Sequence, residues 1–179
     1  MNNFYIWLEK YIPPRNKRKI CRVGGIGKDV INRWLRLDNY PSTLSIIYLS
    51  LAVAKEYHYQ YEAVVLEGIY AISKDRGVQK IEELPKNPLV LYANNQDKDS
   101  KSSINSFYVF YNKYMTTEMR EDVVIKGILT YQQAMSYRRK YLNITPRPDN
   151  LVELCKYISM KNDIEVDLLM LEALDMILE

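Results

Sequence analysis

The sequence predicts an all-α protein made of two small helical bundles, residues 1–75 and 104–179, joined by a polar linker at 76–103. Three observations carry that prediction. Apolar residues return every three or four positions through most of the chain, the spacing of amphipathic helices. The spacing lapses from 74 to 103, where Gly77, Pro85 and Pro88 interrupt it and the run 94–103 offers almost nothing to bury, so this stretch reads as a linker. Beyond it, the pattern of the first part starts again.

Composition bounds the answer before any motif is weighed. A chain of 179 residues fits one ordinary domain or two small ones, and 47% hydrophobic with 26% charged residues is the balance of a folded protein. No apolar run reaches the roughly 18 residues of a membrane span, and the start lacks the basic and apolar regions of a signal peptide, so a cytoplasmic location in the host cell is expected. Cys21 and Cys155 each sit in an apolar helical pattern, which predicts buried free thiols. With His58 as the one histidine, no metal site is expected. The 16 tyrosines and the frequent Asn, Ile and Lys are what AT-rich coding produces, which points to a low-GC bacterium, its plasmid or its phage. The net charge of +3 conceals an asymmetry: residues 1–40 hold nine Lys or Arg against three Asp or Glu, whereas 149–179 hold two against eight. A basic front and an acidic tail imply one surface for polyanions and another kept from them.

Taken in order, residues 4–12 form a first helix, with Ile6, Trp7 and Tyr11 on its stripe and Pro13-Pro14 to stop it. Arg15, Lys17, Arg18, Lys19 and Arg22 place five cations in eight residues at the start of a second helix, which carries Ile20 and Cys21 inward. Gly25 supplies a turn of positive φ and Ile26 plugs it. Val30, Ile31 and Trp34 then give a third helix one buried face. Lys28, Asp29, Asn32, Arg33 and Arg36 are left to point outward. A fourth helix over 44–55 follows Pro41, and a fifth over 59–73 closes the bundle; the run 57–61 between them is a loop that packs its rings on the core.

Cys21, Gly25, Ile26, Ile31 and Trp34, followed by Pro41, Leu44, Ile47 and Leu51, resemble in their spacing the helix-turn-helix domains of the Cro and lambda-repressor-like (Xre-type) class, over about the first seventy residues. That resemblance implies a lambda-repressor-like bundle whose third helix enters the DNA major groove and whose second crosses the phosphate backbone. Lys28, Asp29, Asn32 and Arg33 would then face base edges, and Arg15, Lys17, Lys19, Arg22 and Arg36 would hold phosphates.

After the linker, the aromatic residues Phe107, Tyr108, Phe110, Tyr111 and Tyr114 restate the first helix, and residues 119–126 give a second, closed by Gly127. Thr130 caps a third, in which Ala134 and Tyr137 stand for Ile31 and Trp34 at an offset of 103. Pro148, Leu151, Leu154 and Ile158 answer Pro41, Leu44, Ile47 and Leu51 at 107. A fifth helix over 164–178 is expected to bury Leu168, Leu171, Leu174 and Ile177. By the same logic Tyr131, Gln132, Gln133 and Ser136 would face bases, and Arg138 and Arg139 phosphates. In this second, degenerate copy Gly127 is displaced by one residue relative to Gly25.

No chemistry for catalysis is visible. The stretch 23–27 has neither the preceding strand nor the following Gly-Lys-Ser/Thr of a nucleotide-binding loop, and a single histidine builds no triad. Neither an enzyme nor a cofactor is therefore expected. The leading expectation is a sequence-specific regulator of transcription that binds double-stranded DNA, phage or mobile-element encoded. Its rival is a protein-interaction or virion-associated module that kept the bundle but not DNA binding, with residues 149–179 as the face for a second copy or a protein partner.

Overall fold

A computed structural model of the chain describes residues 2–36, 39–79, 106–142 and 144–178, with Lys28, Val78 and Gln79 described by their backbone alone. Among these residues every regular element is a helix: α1 (Asn3–Tyr11), α2 (Lys17–Val23), α3 (Lys28–Leu35), α4 (Thr43–Tyr57), α5 (Tyr61–Gln79), α6 (Ser106–Tyr114), α7 (Thr117–Ile125), α8 (Tyr131–Tyr137), α9 (Pro148–Asn162) and α10 (Val166–Leu178). The fold is all-α. The expected linker starts inside α5, which runs on to Gln79; its remainder lies outside the described residues.

Helix ends follow local chemistry. Asn2, Ser42, Thr116 and Thr130 each accept a hydrogen bond from the backbone N–H three residues on, capping α1, α4, α7 and α8; such a cap stabilises by about 1 kcal/mol. α1 receives a second, distant cap: Asp75 of α5, 6% exposed, accepts from the Asn3 and Phe4 amides at 2.8 Å each. α4 and α9 both end on a left-handed residue, His58 and Asp163.

Two expected stripes are rotated. On α1 Phe4, Trp7, Leu8 and Tyr11 are buried, whereas Ile6 is 51% exposed, because packing against α5 centres the inward arc on the aromatic residues. On α10 Leu168 is 58% exposed, and Leu169, Met170, Ala173 and Leu174 go inward. This helix touches α6, α9, α4 and α5, so its buried arc is set by several neighbours at once.

The restated pattern is geometric as well as sequential. Phe4 stacks on Trp7 (5.8 Å, 19°) and meets Trp34 edge-on (6.2 Å, 78°); Phe107 stacks on Phe110 (5.6 Å, 26°) and meets Tyr137 edge-on (5.0 Å, 80°). Lys10 and Tyr11 both bond Glu67, as Lys113 and Tyr114 bond Glu172. These pairs fix an offset of 103 for α1 and α3. For α4 and α5 the offset is 105 and not 107: Thr43, Ile46, Ile47, Leu49, Ser50, Ala52 and Val53 are all buried, and so are Pro148, Leu151, Val152, Leu154, Cys155, Tyr157 and Ile158. Leu51, expected to match Ile158, is 38% exposed. One matched pair differs in an instructive way. A Cβ on Gly68 would come within 2.9 Å of Ile46 Cγ2 and 3.0 Å of Trp7 Cε2, so the indole fits only over glycine; its counterpart Ala173 sits where Phe110 replaces the indole.

The two five-helix sets share one continuous core, and α5 packs more extensively on α9 than on any other helix. The junction is polar at its rim. Thr43 donates to the Pro146 carbonyl at 2.5 Å and Tyr70 to Asp167 at 2.5 Å. Arg76 lies over the Tyr40 ring and 4.0 Å from buried Asp149, which Arg147 also meets at 3.1 Å.

Candidate nucleic-acid interface

Helices α2 and α3 are joined by a turn that glycine makes accessible. Gly25 adopts φ 65°, a left-handed conformation that costs an L side chain roughly 1 kcal/mol. In that conformation the Gly25 N–H donates to Arg22 O and the Ile26 N–H to Cys21 O, at 3.3 and 2.9 Å, the paired bonds of a Schellman cap. Ile26 is thereby held against the core. Gly127 repeats this at φ 68°, with its own N–H donating to Val124 O and that of Ile128 to Val123 O, so Val123 answers Cys21 at an offset of 102. The displacement visible in the sequence is one extra residue, Leu129, buried between this turn and the Thr130 cap.

On α3, Ile31 and Trp34 are buried, Asn32 is half-buried, and Asp29, Arg33 and Arg36 are exposed. Asp29 also complements the positive end of the helix dipole. Lys28 opens the helix, and its side chain lies outside the described residues. Next to this face, Arg15, Arg18 and Arg22 are exposed and Lys17 is half-buried at the first turn of α2. Among the described residues no carboxylate lies within ion-pair distance of these four or of Arg33 and Arg36. Lys19 differs, because Glu56 of α4 pairs with it. Three cations in the first turn of α2, with no acid there, stand at the end of a helix where the dipole disfavours them.

The second pair of helices places its expected residues otherwise. Tyr131 and Gln132 are exposed on α8. Gln133 is spent on a capping box, its Oε1 accepting from the Thr130 N–H at 2.8 Å. Ser136 is buried at 7% exposure, against the expectation that it faces outward, because α8 turns it with Ala134 and Tyr137 toward the core. Arg138 and Arg139 are exposed past the end of α8. α7 lacks the cations of α2: Glu118 opens it, Asp122 pairs with Lys126 at 2.8 Å, and Arg120 donates to Asn112 at 2.7 Å while lying over the Tyr111 ring. In their place stand Ile125, 82% exposed, and Tyr131, 68% exposed. The end of α5 also leans over the second turn, where Ser73, Gly77, Gly127 and Ile128 line a cleft of about 290 Å³.

The acidic tail expected as a partner face is largely engaged within the chain. Asp149 is buried between two arginines, Asp167 accepts from Tyr70, and Glu172 accepts from Lys113 and Tyr114. Burial would raise the Glu172 carboxyl, but those two hydrogen bonds hold it below its usual range. Asp163, Glu165 and Asp175 remain exposed. Sequence reasoning missed Asp75, Arg76 and Tyr40, whose partners are far away along the chain; burial lowers the Arg76 guanidinium pKa. Both cysteines are buried free thiols, and burial pushes each thiol pKa up. Among the described residues no His, Cys, Asp and Glu cluster could hold a metal, and no helix is long and apolar enough to cross a membrane.

No protein-family model, curated protein or solved structure matches the chain. The resemblance to Cro-like and lambda-repressor-like domains therefore rests on its own residues and turn geometry.

Proposed function

We propose that the chain is a sequence-specific regulator of transcription that binds double-stranded DNA, of the kind phages and mobile elements encode. One observation carries this reading most: Arg15, just before α2, and Lys17, Arg18 and Arg22 within it, with no carboxylate in ion-pair distance among the described residues, stand beside the exposed Asp29, Arg33 and half-buried Asn32 of α3. A basic helix that crosses phosphates, next to a polar helix of groove-reading side chains, is the division of labour that sequence-specific binding requires. Lys17 and Arg18, at the positive end of α2 with no carboxylate in ion-pair distance among the described residues, raise its free energy, and a polyanion offsets that.

Lys28, Asp29, Asn32 and Arg33 read bases in this proposal, Asn32 suited to adenine and Arg33 to guanine; Arg15, Lys17, Arg22 and Arg36 hold phosphates. Lys19 contributes less, being paired with Glu56. The test is a titration against duplex DNA at two salt concentrations. Asn32→Ala should lose about 1–3 kcal/mol of discrimination between cognate and random sequence, whereas Lys17→Ala should weaken both about equally and shallow the salt slope. No binding at low salt would sink the proposal.

A specific observation favours the rival reading for the second set alone. Ile125 and Tyr131 give its outer face the apolar and aromatic character of a protein contact, where the first set has charge. That outcome would show as DNA affinity unchanged by Gln132→Ala.

A further inference from the structure

We propose that Asp75, on α5, is a positioning residue for α3: its carboxylate sets the roll of α1, and α1 in turn sets, through Phe4 and Trp34, the angle at which Asn32 and Arg33 are presented. The inference rests on the DNA-binding reading above and deepens it, naming a residue that touches no base and on which base discrimination depends.

A helix leaves the backbone N–H groups of its first turn without partners inside the helix. In α1 the Tyr5 N–H finds one nearby, donating to Asn2 Oδ1 at 2.7 Å. Those of the two preceding residues reach far along the chain: the Asn3 N–H donates to Asp75 Oδ1 and the Phe4 N–H to Asp75 Oδ2, each at 2.8 Å. The Asn3 side-chain amide adds a bond to Oδ1 at 2.7 Å. Three donors thus satisfy a buried carboxylate that would otherwise be costly, and its charge lies at the positive end of the α1 dipole.

An ordinary cap does less. One bond fixes where the end of a helix lies. Two bonds, from successive residues about 100° apart around the axis, also fix how the helix is turned about that axis. The turn adopted puts Phe4 inward and leaves Ile6 exposed, a choice that apolar spacing does not dictate because both side chains are hydrophobic.

Phe4 is the link to α3. Its ring stacks on Trp7 and meets the Trp34 indole edge-on, with centroids 6.2 Å apart at 78°. α3 is eight residues long and its chief helical neighbour is α2, so the packing of Ile31 and Trp34 in the core orients it. Trp34 adjoins Arg33 and lies two residues past Asn32, so a tilt of the indole carries both. Asp75 is a fixed reference for this chain of contacts because the end of α5 is itself held. The next residue, Arg76, lies over the Tyr40 ring at 5.3 Å and 4.0 Å from Asp149 near the start of α9, the helix on which α5 packs most.

The test uses the full chain, a preferred site enriched from a random duplex library, and random duplex as the reference. Asp75→Asn keeps the side-chain shape but turns one acceptor into a donor that faces an amide N–H. It should lower affinity for the preferred site by about tenfold, at the base pairs whose preference Asn32→Ala also removes. Affinity for random duplex should change by less than about twofold and the salt slope should hold, because no phosphate contact is touched. Phe4→Leu leaves the bonds to Asp75 in place and loses the edge contact on Trp34; it should give the same loss, and the double variant should lose no more than either alone. With fluorinated tryptophans, the Trp34 fluorine resonance should move in Asp75→Asn. It should stay in Thr116→Ala, which removes the cap of α7 and should leave discrimination intact. Full discrimination in Asp75→Asn, equal loss on preferred and random duplex, additive losses in the double variant or an unmoved Trp34 resonance would each overturn the positioning role and leave DNA binding in place. Should Asp75→Asn fail to fold, full discrimination in Phe4→Leu would overturn it. No enriched sequence and no low-salt binding by the unaltered chain would overturn the DNA reading, and this proposal with it.

Discussion

The pair α2–α3 and the pair α7–α8 are each joined by the same glycine turn, and Ile31 and Ala134, like Trp34 and Tyr137, go inward at matched positions. Their outer faces share almost nothing. The first carries Arg15, Lys17, Arg18 and Arg22 free of carboxylates among the described residues; the second carries Glu118, a paired Asp122, Ile125 and Tyr131. The difference teaches that turn and core are set by constraints that surface residues barely touch, since positive φ and buried volume decide them. Affinity for a polyanion is set by the surface alone. A helix pair and its turn can therefore be kept as architecture while the outer surface changes.

The largest expected effects test the shared core. Trp7→Ala should destabilise by about 3–5 kcal/mol in chemical denaturation. Gly68→Ala should cost about 1–3 kcal/mol by overpacking against Ile46 and Trp7, although alanine is the better helix former. Combining Gly68→Ala with Trp7→Phe recreates the pairing of Ala173 with Phe110, and the double variant should be more stable than the summed single losses by at least about 0.5 kcal/mol. Simple additivity would show that the two positions do not share a volume, and would weaken the match between the sets.

The next effect tests the outer faces. Replacing Arg15, Lys17 and Arg22 together by Ala should lower affinity for duplex DNA by about tenfold or more and reduce the salt slope by about 2.7. Replacing Arg138 and Arg139 should lower both by less, because the arginine of α7, Arg120, is half-buried and engaged by Asn112 and the Tyr111 ring. Equal losses would erase the contrast between the faces.

An alkaline titration probes the surroundings of single tyrosines in the two sets. Burial, with Asp175 and Glu62, pushes Tyr61 up to about 12; burial, with the hydrogen bond to Asp122, does the same for Tyr157. In the unfolded chain both phenols ionise near 10. Their contribution to stability is therefore complete below pH 10 and is lost as pH rises from 10 to 12. Tyr157→Phe should flatten that loss in denaturation curves at pH 9, 11 and 12; an unchanged slope would mean that Tyr157 is not responsible.

The smallest effects concern the caps of α8 and α3. Thr130→Ala breaks the capping box of α8 and should cost about 1 kcal/mol. Gly27, which caps α3 without a side-chain bond at φ −65°, has room for a Cβ, its nearest neighbour being Val30 Cγ2 at 3.7 Å. Gly27→Thr should thus stabilise by a few tenths of a kcal/mol. Destabilisation instead would show that the first turn cannot hold the hydrogen bond of the second.

The sequence by itself determined every feature that depends on near neighbours along the chain. Apolar spacing of three and four made the helices, Gly25 and Gly127 the turns, Pro13-Pro14 the first stop, and Thr130 a cap; each acts within about five residues. The run from Arg15 to Arg22 announced a basic face for the same reason. Only the tertiary structure decided which side of α1 and α10 goes inward, because several neighbours divide those surfaces, so Ile6 and Leu168 stay outside. It also decided which charges remain free. Lys19 meets Glu56, Asp75 caps α1 from 72 residues away, and Asp149, Asp167 and Glu172 are taken up by Arg76, Tyr70 and Lys113. A charge is available to a partner only when folding has brought no opposite charge beside it, and that depends on distances in space that no local pattern of residues encodes.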